Sequence, residues 1–288
     1  MVTRVVARVT LYAVIVYAIV GALGSALWWA LDSGPLAADP RLVLNDRAAS
    51  SAIRVYGDHP GLDPDHAARL TTDALVGAGG FDRSVLLVTI PTGSGWVDPA
   101  QVTAIEDWSG GDVATVAMRY SSAPSAAVYS LRPELAADSA HAILAEITSR
   151  LRALPHDDRP KLVVHGVSLG AQAGVAALRD PAVAGLVDVA LWQGRPGSAA
   201  MATASAAPSA AAAPSAATPA GSEPLARCTV SEVNPDDPVA ELGRDLLRNP
   251  VRALRVLSAL PGSDSAAPGV GHRYRPVLPP SGCVSPGL

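Results

Sequence analysis

Gly166-Val167-Ser168-Leu169-Gly170 sets one serine between two glycines, directly after the β-branched run of residues 161–165 and directly before an alanine-rich stretch. That spacing predicts a nucleophile elbow, a strained strand-to-helix turn that exposes the serine hydroxyl. Glycines flank it because no Cβ fits where strand and helix nearly touch. The turn also leaves Ser168 at a helix N-terminus, where free N–H groups favour the negative charge that develops in acyl transfer.

A serine hydroxyl needs a base to take its proton and a third group to orient that base. Elbow enzymes carry these in the order Ser, Asp or Glu, His, on loops at the carboxyl ends of strands. Downstream of Ser168, Asp236 and Asp237 come directly after the strand expected at 228–233, and a single histidine, His272, remains beyond them. Asp237 is the expected acid, because Asp236 is free to cap the turn or the helix that follows. His165 ends the strand beneath the elbow, and His141 lies on a long helix. His59, His66 and His156 precede the nucleophile, the wrong side for this order. No histidine has metal-ligand spacing to another histidine or to a cysteine, and the chemistry needs no metal or organic cofactor. The oxyanion needs two backbone donors. Leu169 is expected to give one, and Thr92 or Gly93 the other, from the loop Pro91-Thr92-Gly93-Ser94-Gly95-Trp96. A phosphate-binding reading of that loop fails, since no Lys-Ser/Thr pair follows it.

These residues need a frame that brings distant loops together. Strands are expected at 52–56, 84–90, 113–118, 161–165, 186–192 and 228–233. Helices are expected at 64–77, 99–108, 133–154, 169–179 and 239–260. Alternation of this kind implies an α/β fold of the α/β-hydrolase type, a mostly parallel sheet covered by helices on both faces. From 198 to 223 the chain is almost wholly Ala, Pro, Ser and Thr. Such a segment buries too little to offset its ordering entropy, and it lacks the amphipathic face of a lid, so a surface linker or glycan-bearing loop is expected.

About 23 uncharged residues from 9 to 31 are long enough to cross a bilayer, with Arg4 and Arg8 before them and Trp28 and Trp29 at the far end. The positive-inside rule puts the N-terminus in the cytoplasm and everything after Asp32 outside. An uncleaved anchor is favoured over a signal peptide, whose apolar core is shorter. Export gives Cys228 and Cys283, the only cysteines, an oxidising compartment, and a disulfide between them is expected. The resulting plan is an anchor at 1–33, a tether at 34–51, the first part of the catalytic domain at 52–197, the insertion at 198–224 and the rest of the domain at 225–288. A net charge of −4 with no basic cluster excludes nucleic acid as a partner.

Phe81-Asp82-Arg83-Ser84-Val85, PTGSGWVDP at 91–99, GGDVATVAMRYSSAPS at 110–125, the elbow and ALWQGRPGS at 190–198 together resemble an actinobacterial family of membrane-anchored α/β-hydrolases. The chain departs from it in carrying Val167 where the family usually has Glu, and one N-terminal membrane helix where it has several. The resemblance implies a serine hydrolase with Ser168 as nucleophile, and the family's D-P-V motif corresponds to Asp237-Pro238-Val239. Residues and resemblance lead to the same expectation: an exported, single-pass serine hydrolase acting on a small-molecule or lipid ester. An acyltransferase would use the same residues. A catalytically dead hydrolase fold that binds or organises the envelope is the rival of another class, one to which a chain with a single Phe also conforms.

Overall fold

The structure is a computed structural model that describes residues 2–34, 37, 51–198, 226–243, 246, 248–260 and 262–284. All of the expected insertion after Ser198, and all but a few residues of the expected tether, lie outside the described residues.

Six strands form one sheet: β1 (Ile53–Asp58), β2 (Val85–Ile90), β3 (Val113–Arg119), β4 (Lys161–Val167), β5 (Val189–Gln193) and β6 (Cys228–Glu232). Their order is β1-β3-β2-β4-β5-β6, and every pairing is parallel. All strand C-termini therefore point to one edge. A parallel sheet is buried on both faces away from its edges, and its inner strands accordingly read as near-continuous apolar runs; β2, β3 and β5 are buried along their whole length, while the edge strands β1 and β6 are mostly half-buried.

Helix α1 (Val2–Asp32) precedes the sheet, followed by α2 (Pro64–Gly77), α3 (Pro99–Trp108), α4 (Ser125–Leu131), α5 (Pro133–Ala153), α6 (Leu169–Ala177), α7 (Pro181–Ala184) and α8 (Pro250–Ala259). Asp63 and Asp98 cap α2 and α3 by accepting the N–H of His66 and Ala100, each with proline at the start of the helix. On one face Leu86, Val88 and Ile90 of β2 pack with α2, α5 and α6. The alternate residues Val85 and Leu87 face Ile105 of α3 and, from the chain's end, Val277 and Val284. So the second face is closed partly by a stretch without helix or strand. Two devices hold that stretch. Gln101 donates from Nε2 to the Val277 carbonyl and accepts the Val277 N–H, both at 2.8 Å, and Cys283 is bonded to Cys228 with Cα atoms 6.0 Å apart. The expected disulfide is thus present, tying the start of β6 to the tail.

The helix expected over 239–260 is a correction. Only its second half is helical, because Asn249 caps the Arg252 N–H and Pro250 occupies the first turn, where its missing N–H costs nothing; residues 239–243 form turns instead. Helix α4, which no sequence signal marked, begins directly after Pro124.

Among the described residues one helical segment, Val14–Asp32 of α1, is long and apolar enough to cross a membrane. Its far end rests on the domain. Trp28 and Leu31 pack against the main core, Arg132 stacks over the Trp28 ring at 5.4 Å, and Asp32 Oδ1 accepts both the Ser121 hydroxyl and the Ser122 N–H at 2.7 Å.

Candidate active site

Ser168 has φ 55° and ψ −122°, the only positive φ outside glycine among the described residues. Backbone strain of this kind costs on the order of 1–3 kcal/mol and persists only where the surroundings over-determine it. Here they do. A Cβ at Gly166 would lie 2.6 Å from the Gly170 carbonyl carbon, and one at Gly170 would lie 2.2 Å from the Ile90 carbonyl oxygen. Both elbow glycines are therefore required, the first by the strand-to-helix contact and the second by the end of β2. The Ser168 N–H donates to the Gln193 carbonyl at 2.8 Å, which stitches the elbow to β5.

Asp237 and His272, 35 residues apart, come together: His272 Nδ1 lies 2.9 Å from Asp237 Oδ2 and 3.1 Å from Oδ1. The carboxylate is fully buried and the imidazole nearly so. Asp237 is well anchored, since Oδ1 also accepts the Val239 N–H and Oδ2 accepts the Tyr274 hydroxyl at 2.5 Å. Asp236, the alternative acid, is exposed, and the capping role expected of it belongs to Asp237. Burial first, then the bond to Asp237, push the Tyr274 phenol above its usual range, so Tyr274 stays a donor.

The loop that carries His272 is braced by Asn234, whose side chain donates to the Gly271 carbonyl and whose N–H donates to the Tyr274 hydroxyl. Gly194, next to the carbonyl that holds Ser168, takes φ 57°; a Cβ there would stand 2.9 Å from His272 Cε1 and 2.6 Å from Tyr274 Cε2. The imidazole thus rests on the backbone adjoining the elbow. No hydrogen bond joins His272 to Ser168 among the described residues; catalytic bonds are often long before substrate arrives.

The loop after β2 approaches from the other side. Gly93 donates its N–H to the Ser125 hydroxyl at 3.0 Å, and a Cβ on Gly93 would meet the Ser125 Cα at 2.5 Å. The Thr92 N–H is engaged with the Trp96 carbonyl at 3.0 Å, closing the turn. Tyr56 donates to the Gly95 carbonyl at 2.8 Å and steadies the far side of this loop.

His165 is buried beneath the elbow between Thr89 and Gln193. Desolvation lowers its pKa to about 4, outweighing the bond to Gln193, so it is a neutral structural group at ordinary pH. His141 pairs with Asp180 at the surface. Among the described residues, no cluster of three or more His, Cys, Asp or Glu side chains could hold a metal ion.

A parallel sheet, a strained serine between β4 and α6, and a matching family description over residues 53–223 decide the family. The chain belongs to the α/β-hydrolase family. The matched stretch contains the elbow and the loop after β2 and ends before Asp237 and His272. No curated protein matches this hydrolase in sequence. Similar solved structures include a cutinase-like protein from Cryptococcus sp., 22% identical over 41% of this chain and 56% of that one, with a TM-score of 0.31. They also include Trichoderma reesei cutinase in complex with a C11Y4 phosphonate inhibitor, 16% identical over 68% and 84%, with a TM-score of 0.38. An iodinated complex of acetyl xylan esterase is 18% identical over 64% and 98%, with a TM-score of 0.33. This hydrolase spans little more than half of the cutinase-like protein's length.

Two residues of the site carry no sequence signal of their own. Tyr274 touches Asp237 only because the base loop folds back, and Ser125 reaches Gly93 only through the placement of α4.

Proposed function

We propose that the protein is a membrane-anchored, extracytoplasmic serine hydrolase that cleaves a carboxylic ester through Ser168, His272 and Asp237. The observation that carries this reading is the meeting of a strained serine with a buried, carboxylate-bound imidazole that packs on the backbone beside the elbow. Asp237 accepts the hydrogen bond of Nδ1–H, so Nε2 is the nitrogen free to take a proton.

Ser168 Oγ attacks the acyl carbon as His272 Nε2 takes its proton, and the negative charge gathers on the carbonyl oxygen. The tetrahedral adduct collapses, the C–O bond to the alcohol breaks, and His272 returns the proton to that alcohol. Water then repeats the sequence on the acyl-serine and releases the acid. An alcohol in place of water would make the same site an acyltransferase. Leu169 is the first oxyanion donor, as the residue after the nucleophile. Gly93 is the better second donor of the pair considered, because its partner is a hydroxyl that can turn away, whereas the Thr92 N–H holds the turn shut on a carbonyl.

The contacts of Asp32 and Trp28 with the domain support an anchor that is retained, since cleavage after the apolar segment would discard them. Arg4 and Arg8 favour a cytoplasmic N-terminus.

The test is labelling of the full chain by a fluorophosphonate probe. Wild-type protein is expected to label, Ser168→Ala not at all, and His272→Ala on the order of 10⁶-fold more slowly. A folded wild-type protein that stays unlabelled would favour the rival binding-module reading, for which the missing Ser168–His272 bond is the structural argument.

A further inference from the structure

We propose that the site faces the membrane surface and takes its ester from the leaflet, the substrate being an acyl ester of a membrane lipid; this rests on the anchored-hydrolase reading above. Asp32, the last residue of the span, bonds Ser121 and Ser122, two and three residues past the end of β3. Those serines are themselves held by Arg119, which donates from Nε to the Ser121 carbonyl and bonds the Ser122 hydroxyl. No spacer separates span from domain at this point. The contact lies at the edge toward which all strand C-termini point, the edge that carries the elbow.

The second contact is α8. It shows Val256 inward and Val251, Leu254 and Leu257 outward, 79%, 71% and 56% exposed. Residues three apart share one side of a helix, so these three form an apolar stripe. Arg248, Arg252 and Arg255 accompany it, and no acidic residue occurs from 246 to 259. A basic amphipathic helix with its apolar side in water has the make-up of one that lies in a lipid interface.

Its attachment fixes where it lies. Arg252 and Arg255 both bind Glu241, four residues past Asp237, and the Ser263 carbonyl, shortly after the helix, accepts the His272 N–H at 3.2 Å. Helix α8 therefore stands at the same sheet edge, on the β6 side, while α1 arrives on the β3 side. The elbow on β4 lies between them in the strand order. Two lipid-seeking elements bracket Ser168, and Trp96 on the loop after β2 is 41% exposed at that edge. A bilayer entered by α1 is the occupant that satisfies both.

The experiment uses the full chain reconstituted in phosphatidylcholine–phosphatidylglycerol vesicles. Leu254→Trp is compared with the parent, using lipids brominated on the acyl chains as quenchers; the fluorescence added by the substitution is expected to be quenched. In parallel, Val251→Ser/Leu254→Ser/Leu257→Ser is expected to cleave 4-methylumbelliferyl oleate held in the vesicles roughly tenfold more slowly or worse, given the apolar area withdrawn. The same variant should cleave soluble p-nitrophenyl acetate at the parent's rate. Added fluorescence that brominated lipid leaves untouched, or a triple variant as fast as the parent on the vesicle ester, would overturn the proposal. The quenching does not depend on catalysis, so a protein that docks but labels with no fluorophosphonate would sink the hydrolase reading, and the lipid-ester substrate with it, by a separate result.

Discussion

The proposed nucleophile and its proposed base are held in place by different means. Around Ser168 the constraint is steric and local: a strand, a helix and two glycines admit one backbone path. Around Asp237 and His272 little is regular structure, and the positions rest on side-chain hydrogen bonds, one disulfide and the fold-back of a proline-rich tail. One half is shaped by what cannot fit, the other by what happens to be bonded. The first should fail by misfolding, the second by losing alignment while the sheet survives.

The largest expected effect separates the halves directly. Cys228→Ser/Cys283→Ser opens a link across 55 residues, for which the loop-entropy relation gives about 4 kcal/mol. Ester turnover should fall more than the far-ultraviolet signal of the sheet, because the bridge secures the acid and base half. Equal losses in both would break the comparison. Gly170→Ala attacks the other half. Its Cβ would stand 2.2 Å from the Ile90 oxygen, and a loss of about 3 kcal/mol in denaturant unfolding is expected. A fully stable variant would contradict the steric account of the elbow.

His165 sharpens the picture through pH. Its native pKa of about 4 lies below the unfolded value of 6.5, so the unfolded chain binds the extra proton first as pH falls. The stabilisation is complete above about pH 6.5 and is lost as pH drops toward 4, a change of about 3 kcal/mol by linkage. Unfolding of His165→Gln should show that much less pH dependence over the window, and curves of the same slope would remove His165 as the cause. The smallest effect concerns Tyr274→Phe, which removes one bond to the Asp237 carboxylate, about 2 kcal/mol, or roughly thirtyfold in kcat. KM should hardly move, and unfolding should lose a similar amount, about 2 kcal/mol, since the Asn234 N–H also loses its partner. A change in KM alone would make Tyr274 a packing residue.

Legibility followed the same division. The strand at 84–90 showed as an apolar run, the one at 161–165 as a β-branched run, and the elbow as five consecutive residues, because all three depend on neighbours in sequence. Asp237 and His272 were selected from chain order, and the structure brings the two side chains together. What was missed depends on distant contacts: Tyr274 on the fold-back of the tail, Ser125 on the seating of α4, and the prior engagement of the Thr92 N–H on the closure of its own turn. The over-long helix at 239–260 came from an apolar spacing that runs through Asn249-Pro250, a start signal inside the pattern.

The position of the bridge has a consequence for biogenesis. The serine, its strained turn and the loop after β2 all emerge with the first 170 residues, whereas the imidazole is the 272nd residue and its clasp closes at the 283rd. A chain threaded outward from its N-terminus would carry a shaped but unarmed nucleophile until the last stretch had crossed and its thiols were oxidised. Reactivity would then begin only on the far side of the membrane, with transport and oxidation both complete.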